Sequence, residues 1–123
     1  MRDLNFSSEM IMKELINNNE KDISQVLLEE IETNDETRKT AANCLVRIVG
    51  GETSQKELRT IINLFENKEE VSIPLSYCIH KISMYSPGKI ITEEKDILRL
   101  IENDAIVNKN ILDSMCYAYG WKK

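Results

Sequence analysis

Three cysteines and one histidine carry the most reactive side chains of this 123-residue chain. Cys44, Cys78 and Cys116 have no CxxC spacing, and His80 has no second histidine for an HExxH motif, so neither pattern predicts a zinc site. Cys78 and His80 are two positions apart, and such positions diverge by about 200° on a helix, which separates a thiol from its base. The pattern therefore favours packing cysteines and a surface histidine over a nucleophilic pair.

The glycines give no sign of a phosphate-binding loop either. Gly50, Gly51, Gly88 and Gly120 stand in predicted turns or at predicted helix ends rather than in a Gly-rich loop. We therefore expect a protein without enzymatic activity, with no catalytic residues, no cofactor and no metal. An enzyme that uses His80 with a neighbouring acid is the remaining catalytic alternative.

Length and charge predict one soluble domain over residues 1–123, with a buried core, and a basic partner. Hydrophobic residues make up 41% of the chain, which is enough for a core. Acidic residues outnumber basic ones by 21 to 16, a net charge of −5, which argues against nucleic-acid binding and favours binding to something basic.

The cysteine count and the absence of long apolar runs bear on location. An odd number of cysteines, each in an apolar segment, predicts buried free thiols in a reducing compartment. We find no secretory signal and no run near the roughly 18–20 apolar residues of a membrane span. The expected location is the cytoplasm, without membrane association.

The stretch 56–85 predicts two amphipathic helices joined by a tight turn, and it forms the middle of the chain. Similar segments stand on both sides, at 22–49 and 94–119, and a short helix is predicted at 8–18. Capping patterns place helix starts at Thr33, Ser54 and Thr92, and glycines place helix ends at 50–51, 88 and 120. No segment alternates as a strand does.

The helix pairs 22–49, 56–85 and 94–119 form an internal repeat. Their inner turns, at Asn34, Asn67 and Asn103, recur after 33 and then 36 residues. Such spacing predicts an all-α fold: a short right-handed stack of antiparallel helix pairs, an α-solenoid with about seven helices. The layout over about residues 22–119 resembles the HEAT and armadillo-like helical repeats, although its units are shorter than their roughly 40–47 residues.

A helical wheel assigns the inner face of each second helix. Leu75, Cys78 and Ile82 lie on the inner face of the central one. In the last helix the apolar arc contains Asn108, Ile111, Leu112, Met115 and Tyr119, so that Met115 takes the place of Cys78.

Acidic side chains concentrate at the turns inside the helix pairs. In a solenoid these turns share one edge, so the following residues predict one acidic ridge: Glu32, Asp35, Glu36, Glu66, Glu69, Glu70, Glu102 and Asp104. The simpler alternative is that acids favour the first turn of a helix because of its dipole.

The outer faces of the second helices carry the other candidate binding residues. The central helix presents Ile73, Tyr77, His80 and Met84, and the last helix presents Ile106, Asp113 and Tyr117 with Asn110 beside them. Exposed tyrosines and methionine beside an acidic ridge are typical of an interface centre. Alternatively, the N-terminal helix covers this face or the chain dimerises through it. The oligomeric state is left open.

The small size, acidic charge and helical pattern resemble those of immunity proteins from bacterial toxin–immunity systems, including contact-dependent growth inhibition. The resemblance implies a cytoplasmic toxin inhibitor that binds a basic, nuclease-type toxin domain and makes no contact with nucleic acid itself. A HEAT-like adaptor subunit of a larger complex is the alternative.

Overall fold

A computed structural model describes residues 23–102 and 104–120, and in these ranges the chain is helical without any β-strand. The described residues form seven α-helices: α1 Ile23–Thr33, α2 Arg38–Ile48, α3 Gln55–Asn67, α4 Ser72–Tyr85, α5 Pro87–Thr92, α6 Glu94–Leu98 and α7 Ala105–Tyr119. A 3₁₀ helix, Glu69–Val71, precedes α4. The predicted all-α class and the number of about seven helices are confirmed. The predicted helix at 8–18 lies outside the described residues.

Helix α4 is the centre of the packing. It contacts α2, α3, α5 and α7, while α1 packs against α2 and α3. Leu75, Ile79 and Ile82 of α4 have no solvent-exposed surface. They join one core that extends from Leu27 in α1 to Ala118 in α7. Because most elements pack against α4, its burial is central to the stability of the fold.

Side-chain hydrogen bonds connect successive parts of the chain at a regular separation. Ser24 Oγ donates to Glu57 Oε2 at 2.5 Å, 33 residues away. Lys81 Nζ donates to the carbonyl of Val46 at 2.9 Å, 35 residues away. Asn110 Nδ2 donates to Ser76 Oγ at 2.9 Å, 34 residues away. Each bond therefore joins positions about one predicted repeat apart.

Helix α2 begins later than its capping pattern predicts. The Oδ1 of Asn34 accepts hydrogen bonds from the backbone N–H groups of Glu36 (3.0 Å) and Thr37 (3.3 Å), which makes a turn of these residues. The hydroxyl of Thr37 donates to Glu30 and does not cap the helix. At the other end α2 stops because Val49 is extended (φ −69°, ψ 152°), one residue before the glycines that were predicted to end it.

The segment after α4 also differs from the prediction. Helix α4 ends at Tyr85, as Ser86-Pro87-Gly88 predicted, but the next helix was expected to begin only at Thr92. Instead Pro87 is the first residue of α5, where its fixed φ suits a helix start and its missing N–H costs nothing. A second short helix, α6, follows and ends at Leu98.

The predicted cap at Thr92–Glu94 does not form, because Thr92 is the last residue of α5 and its hydroxyl donates to the carbonyl of Gly88 at 2.9 Å. The next residue, Glu93, has partners on another helix. Its side chain is buried and accepts hydrogen bonds from Gln55 Nε2 (2.8 Å) and Arg59 Nε (2.9 Å) of α3. The Glu93 carboxylate, which the sequence pattern assigned to a helix cap, is therefore held by two side chains of α3.

Other local signals are confirmed. Ser54 and Glu57 form a reciprocal capping box at the start of α3, with bonds of 3.1 and 2.9 Å. The cap of α7 was not predicted: Asp104 Oδ1 accepts from the N–H groups of Ile106 and Val107. Gly120 ends α7 in the left-handed conformation (φ 72°).

The buried face of α7 is rotated from the predicted arc. Leu112 is 51% exposed and Tyr119 is 37% exposed, although both were predicted to face inward. Asn110 and Ser114 are buried instead: Asn110 bonds Ser76 of α4, and Ser114 Oγ donates to the Asn110 carbonyl at 2.6 Å. The helical-wheel prediction was wrong because a hydropathy pattern places only apolar residues between helices. Here two small polar side chains are buried there, and each has a hydrogen-bond partner.

Candidate protein-binding surface

Five of the eight predicted ridge acids line two adjoining grooves at the N-terminal end of α4. One groove, of about 490 Å³, is lined by Glu69, Glu70, Ser72, Ile73, Glu102 and Asp104. The other, of about 300 Å³, is lined by Phe65, Glu66, Glu69, Arg99, Leu100, Ile101 and Glu102. Glu69 and Glu102 line both grooves, which makes them one surface. We call this surface, with Glu66, Glu69, Glu70, Glu102 and Asp104, the acidic groove.

Side-chain hydrogen bonds with α7 position Glu102 and Asp104 in the acidic groove. The Nδ2 of Asn108 donates to the carbonyl of Glu102 at 2.5 Å, and its Oδ1 accepts from the N–H of Glu102 at 2.8 Å. Asp104 is fixed by its capping bonds to α7. Residues 102 and 104 are therefore positioned by α7 rather than by the loop alone.

The acids of the first turn are arranged differently, because a buried arginine lies among them. The Nη1 of Arg38 contacts Asp35 Oδ1 at 2.7 Å and Glu70 Oε2 at 2.9 Å. Its other nitrogens donate to the carbonyls of Ile31 (2.5 Å) and Glu32 (3.2 Å). The hydrogen bond to Glu70 raises the pKa of the Arg38 guanidinium, and Asp35 adds to this effect, so the group stays charged.

Asp35 is therefore connected to the acidic groove through Arg38, but its charge and that of Glu70 are partly compensated. Glu36 is exposed beside this turn. The side chain of Glu32 lines a separate groove between α1 and α3, together with Glu29 and Glu57. The role of Arg38 was not predicted. Its signal in the sequence was an arginine two residues after the last acid of the turn, which occurs only in the first of the three units.

The predicted outer-face residues of α4 and α7 meet on one surface. Tyr77 is 44% exposed and Met84 is 48% exposed. The His80 and Tyr117 rings lie 5.3 Å apart in an edge-on arrangement, at 72°. We call the row Ile73, Tyr77, His80 and Met84 the α4 stripe.

Two residues predicted on this face have other roles. Asn110 is buried against Ser76 rather than exposed beside the face. Asp113 pairs with Lys109, whose Nζ lies 2.9 Å from Oδ2, and this bond raises the pKa of Lys109. The charge of Asp113 is therefore compensated by a neighbour on its own helix, as in other exposed i,i+4 pairs.

The acidic groove and the α4 stripe are continuous. Ile73 lines the groove and is also the first residue of the stripe. The half-buried Ile73 thus connects the acidic side chains to the exposed Tyr77 and Met84. This arrangement can bind a surface that is basic at one end and apolar along its length.

The three cysteines are thiols rather than disulfides, and they differ in accessibility. Cys44 and Cys78 are fully buried, whereas Cys116 is half-buried. Burial raises the pKa of the Cys78 thiol well above its ordinary value. A thiol held protonated in the core is a packing group, in agreement with the role predicted for it.

The thiols should therefore react at different rates. We expect iodoacetamide to modify Cys116 first in the native protein, and Cys44 and Cys78 only after unfolding in guanidinium chloride. Mass spectrometry of digested samples over a time course measures this order. Modification of Cys78 as fast as that of Cys116 would contradict the burial of Cys78.

Comparison with protein-family models, with curated proteins and with solved structures gave no significant match. In the described ranges, the helices are too short or too polar to cross a membrane. Among the same residues, no three or more His, Cys, Asp or Glu side chains are grouped so that they could hold a metal ion.

Proposed function

We propose that this protein is a non-catalytic protein-binding module that recognises a basic protein partner through the acidic groove and the α4 stripe. The single observation that carries the proposal is the continuity of these two surfaces at Ile73. Acids alone are common at helix starts, and scattered apolar residues are common on any surface. Their junction on one face is what favours an interface.

In its specific form, we propose that the partner is a basic, nuclease-type toxin domain and that the protein is a cytoplasmic immunity protein. The net charge of −5 and the helical fold agree with the resemblance on which this proposal rests. The carboxylates of the acidic groove would occupy the place of nucleic-acid phosphates, and Tyr77 and Met84 would supply the desolvated anchors. Opposite charges would make association fast and salt-sensitive.

We further propose that the helices form a short HEAT-like stack. Hydrogen bonds between residues 33 to 35 apart support this arrangement, because stacked repeats place equivalent positions side by side.

An adaptor subunit is the second candidate, and exposed apolar residues that do not line the acidic groove favour it. Leu98 is 39% exposed and Leu112 is 51% exposed. A stack that continues into a larger assembly would cover such residues.

Capture from a lysate of the source organism, eluted by a salt step and identified by mass, separates these candidates. The acidic-groove variant carries Glu66→Lys and Glu69→Lys, which leaves Glu70 free to bond Arg38. A control with Glu29→Lys and Glu52→Lys has the same net charge. Glu52 is far from the acidic groove along α4: the carbonyl of the preceding residue, Gly51, accepts a hydrogen bond from Ser86 at the C-terminal end of that helix.

We expect the wild-type protein and the control to capture one basic protein, and the acidic-groove variant to lose it. Recovery of a multi-protein assembly, held equally by all three proteins through a high-salt wash, would contradict the proposal and favour the adaptor.

A further inference from the structure

We infer that the segment of the partner that occupies this surface is an amphipathic α-helix, lying along α4 with basic residues in its N-terminal turns. The inference rests on the proposed function, since it specifies how a basic protein partner would bind. Three features support it: the spacing of the α4 stripe, the charges at its two ends, and the backbone groups of α4 and α7, which bond within each helix.

The dimensions of the α4 stripe suit a helix. Its residues follow one another at intervals of four, three and four positions, from Ile73 to Met84. This spacing keeps them in one row of about 16 Å, or about three helical turns. Helix α7 lies beside α4 and forms the second side of the surface, with Tyr117 edge-on to His80. Two adjacent helices present a seam that accepts the apolar face of a third.

Backbone chemistry argues against an extended segment. The surface consists of side chains on two helices whose backbone groups bond within each helix, and no strand edge exists in residues 23–102 and 104–120. An extended chain laid across it would bury N–H and C=O groups without partners, which is costly. A helix satisfies its own backbone groups and can bury one face without this cost.

The charges along the surface set the direction of the helix. The five acids of the acidic groove lie at the Ile73 end. Toward the other end, Lys81 is held by the carbonyls of Val46 and Arg47, both at 2.9 Å. Basic side chains of the occupant are therefore favoured over the groove. The N-terminus of a helix carries partial positive charge, so its N-terminal turns fit there best.

Two synthetic 18-residue, alanine-based peptides test the inference against the full chain. The periodic peptide has four leucines at intervals of four, three and four positions and three lysines in its first two turns. The shuffled peptide has the same composition and the same lysines, but its leucines lack the helical period. Fluorescence anisotropy gives Kd, and amide chemical shifts of the isotope-labelled protein locate the bound peptide.

We expect the periodic peptide to bind at least about tenfold more tightly than the shuffled one and to shift the signals of Tyr77 and Met84. The double variant Tyr77→Ser, Met84→Ser should abolish this difference. The double variant Glu66→Lys, Glu69→Lys should weaken both peptides. Thermal unfolding of each variant confirms that it is folded.

Equal affinity for the two peptides, or no binding of the periodic peptide up to about 1 mM, would overturn the inference. If both peptides bound equally but only through the acidic groove, the helix would be excluded while recognition of a basic partner would stand. If the periodic peptide bound the acidic-groove variant as tightly as the wild type, the basic partner, and with it the proposed function, would be contradicted.

Discussion

Replacing Ile79 with alanine will lower the free energy of unfolding by about 3 kcal/mol. Ile79 has no exposed surface and lies in the helix that contacts α2, α3, α5 and α7. Its truncation removes apolar contacts and leaves a cavity that the surrounding helices fill only in part. A loss of this size is a large share of the roughly 5–15 kcal/mol that holds a domain folded.

Tyr77 in the same helix provides the matched control. It is 44% exposed, and Tyr77→Ala should lower the free energy of unfolding by less than about 1 kcal/mol. Guanidinium chloride unfolding followed by circular dichroism measures both variants. Equal losses from the two substitutions would show that α4 is not oriented as described.

The second large effect is expected from Arg38→Met, which keeps an unbranched apolar stem at this position but removes the guanidinium with its charge and donors. Four acceptors would lose a partner: Asp35, Glu70 and the carbonyls of Ile31 and Glu32. Two carboxylates would then stand close together without a cation, and the last carbonyls of α1 would be unsatisfied. The melting temperature should fall by several degrees.

Arg99→Met is the control for Arg38→Met. Arg99 is exposed and pairs with Asp96 three residues away, an arrangement that contributes little to stability. Differential scanning calorimetry of the two variants should therefore show a clear shift only for Arg38→Met. A similar melting temperature for both would mean that the Arg38 contacts do not stabilise the fold.

Predictions from local sequence succeeded where one helix supplies all the partners. The Ser54–Glu57 capping box and the Gly120 helix end need only neighbouring residues, and both were predicted. The all-α class follows from helical periodicity throughout the chain.

Local patterns failed where distant residues compete. Glu93 was assigned to a cap, but Gln55 and Arg59 hold its carboxylate. Asn110 was placed at the surface, but Ser76, 34 residues away, satisfies its amide in the interior. In both cases the deciding partner lies on another helix, and a single helix pattern does not identify it.

In the candidate site, too, the features set by neighbouring residues were predicted and those set by distant residues were not. The turns identified which acids lie near the N-terminal end of α4, including Glu69 and Glu102. The position of Arg38 between Asp35 and Glu70 depends on how the first two turns pack together, and it was not predicted.

The most direct test of the proposed binding is the association rate with the captured partner, measured by stopped-flow fluorescence at low and at physiological salt. We predict that the wild-type rate falls at least about tenfold as salt rises, because opposite charges steer the encounter. The Glu66→Lys, Glu69→Lys variant should associate slowly at both salt concentrations, and the Glu29→Lys, Glu52→Lys control should behave like the wild type. Equal rates for all three proteins, unchanged by salt, would contradict recognition of a basic partner by the acidic groove.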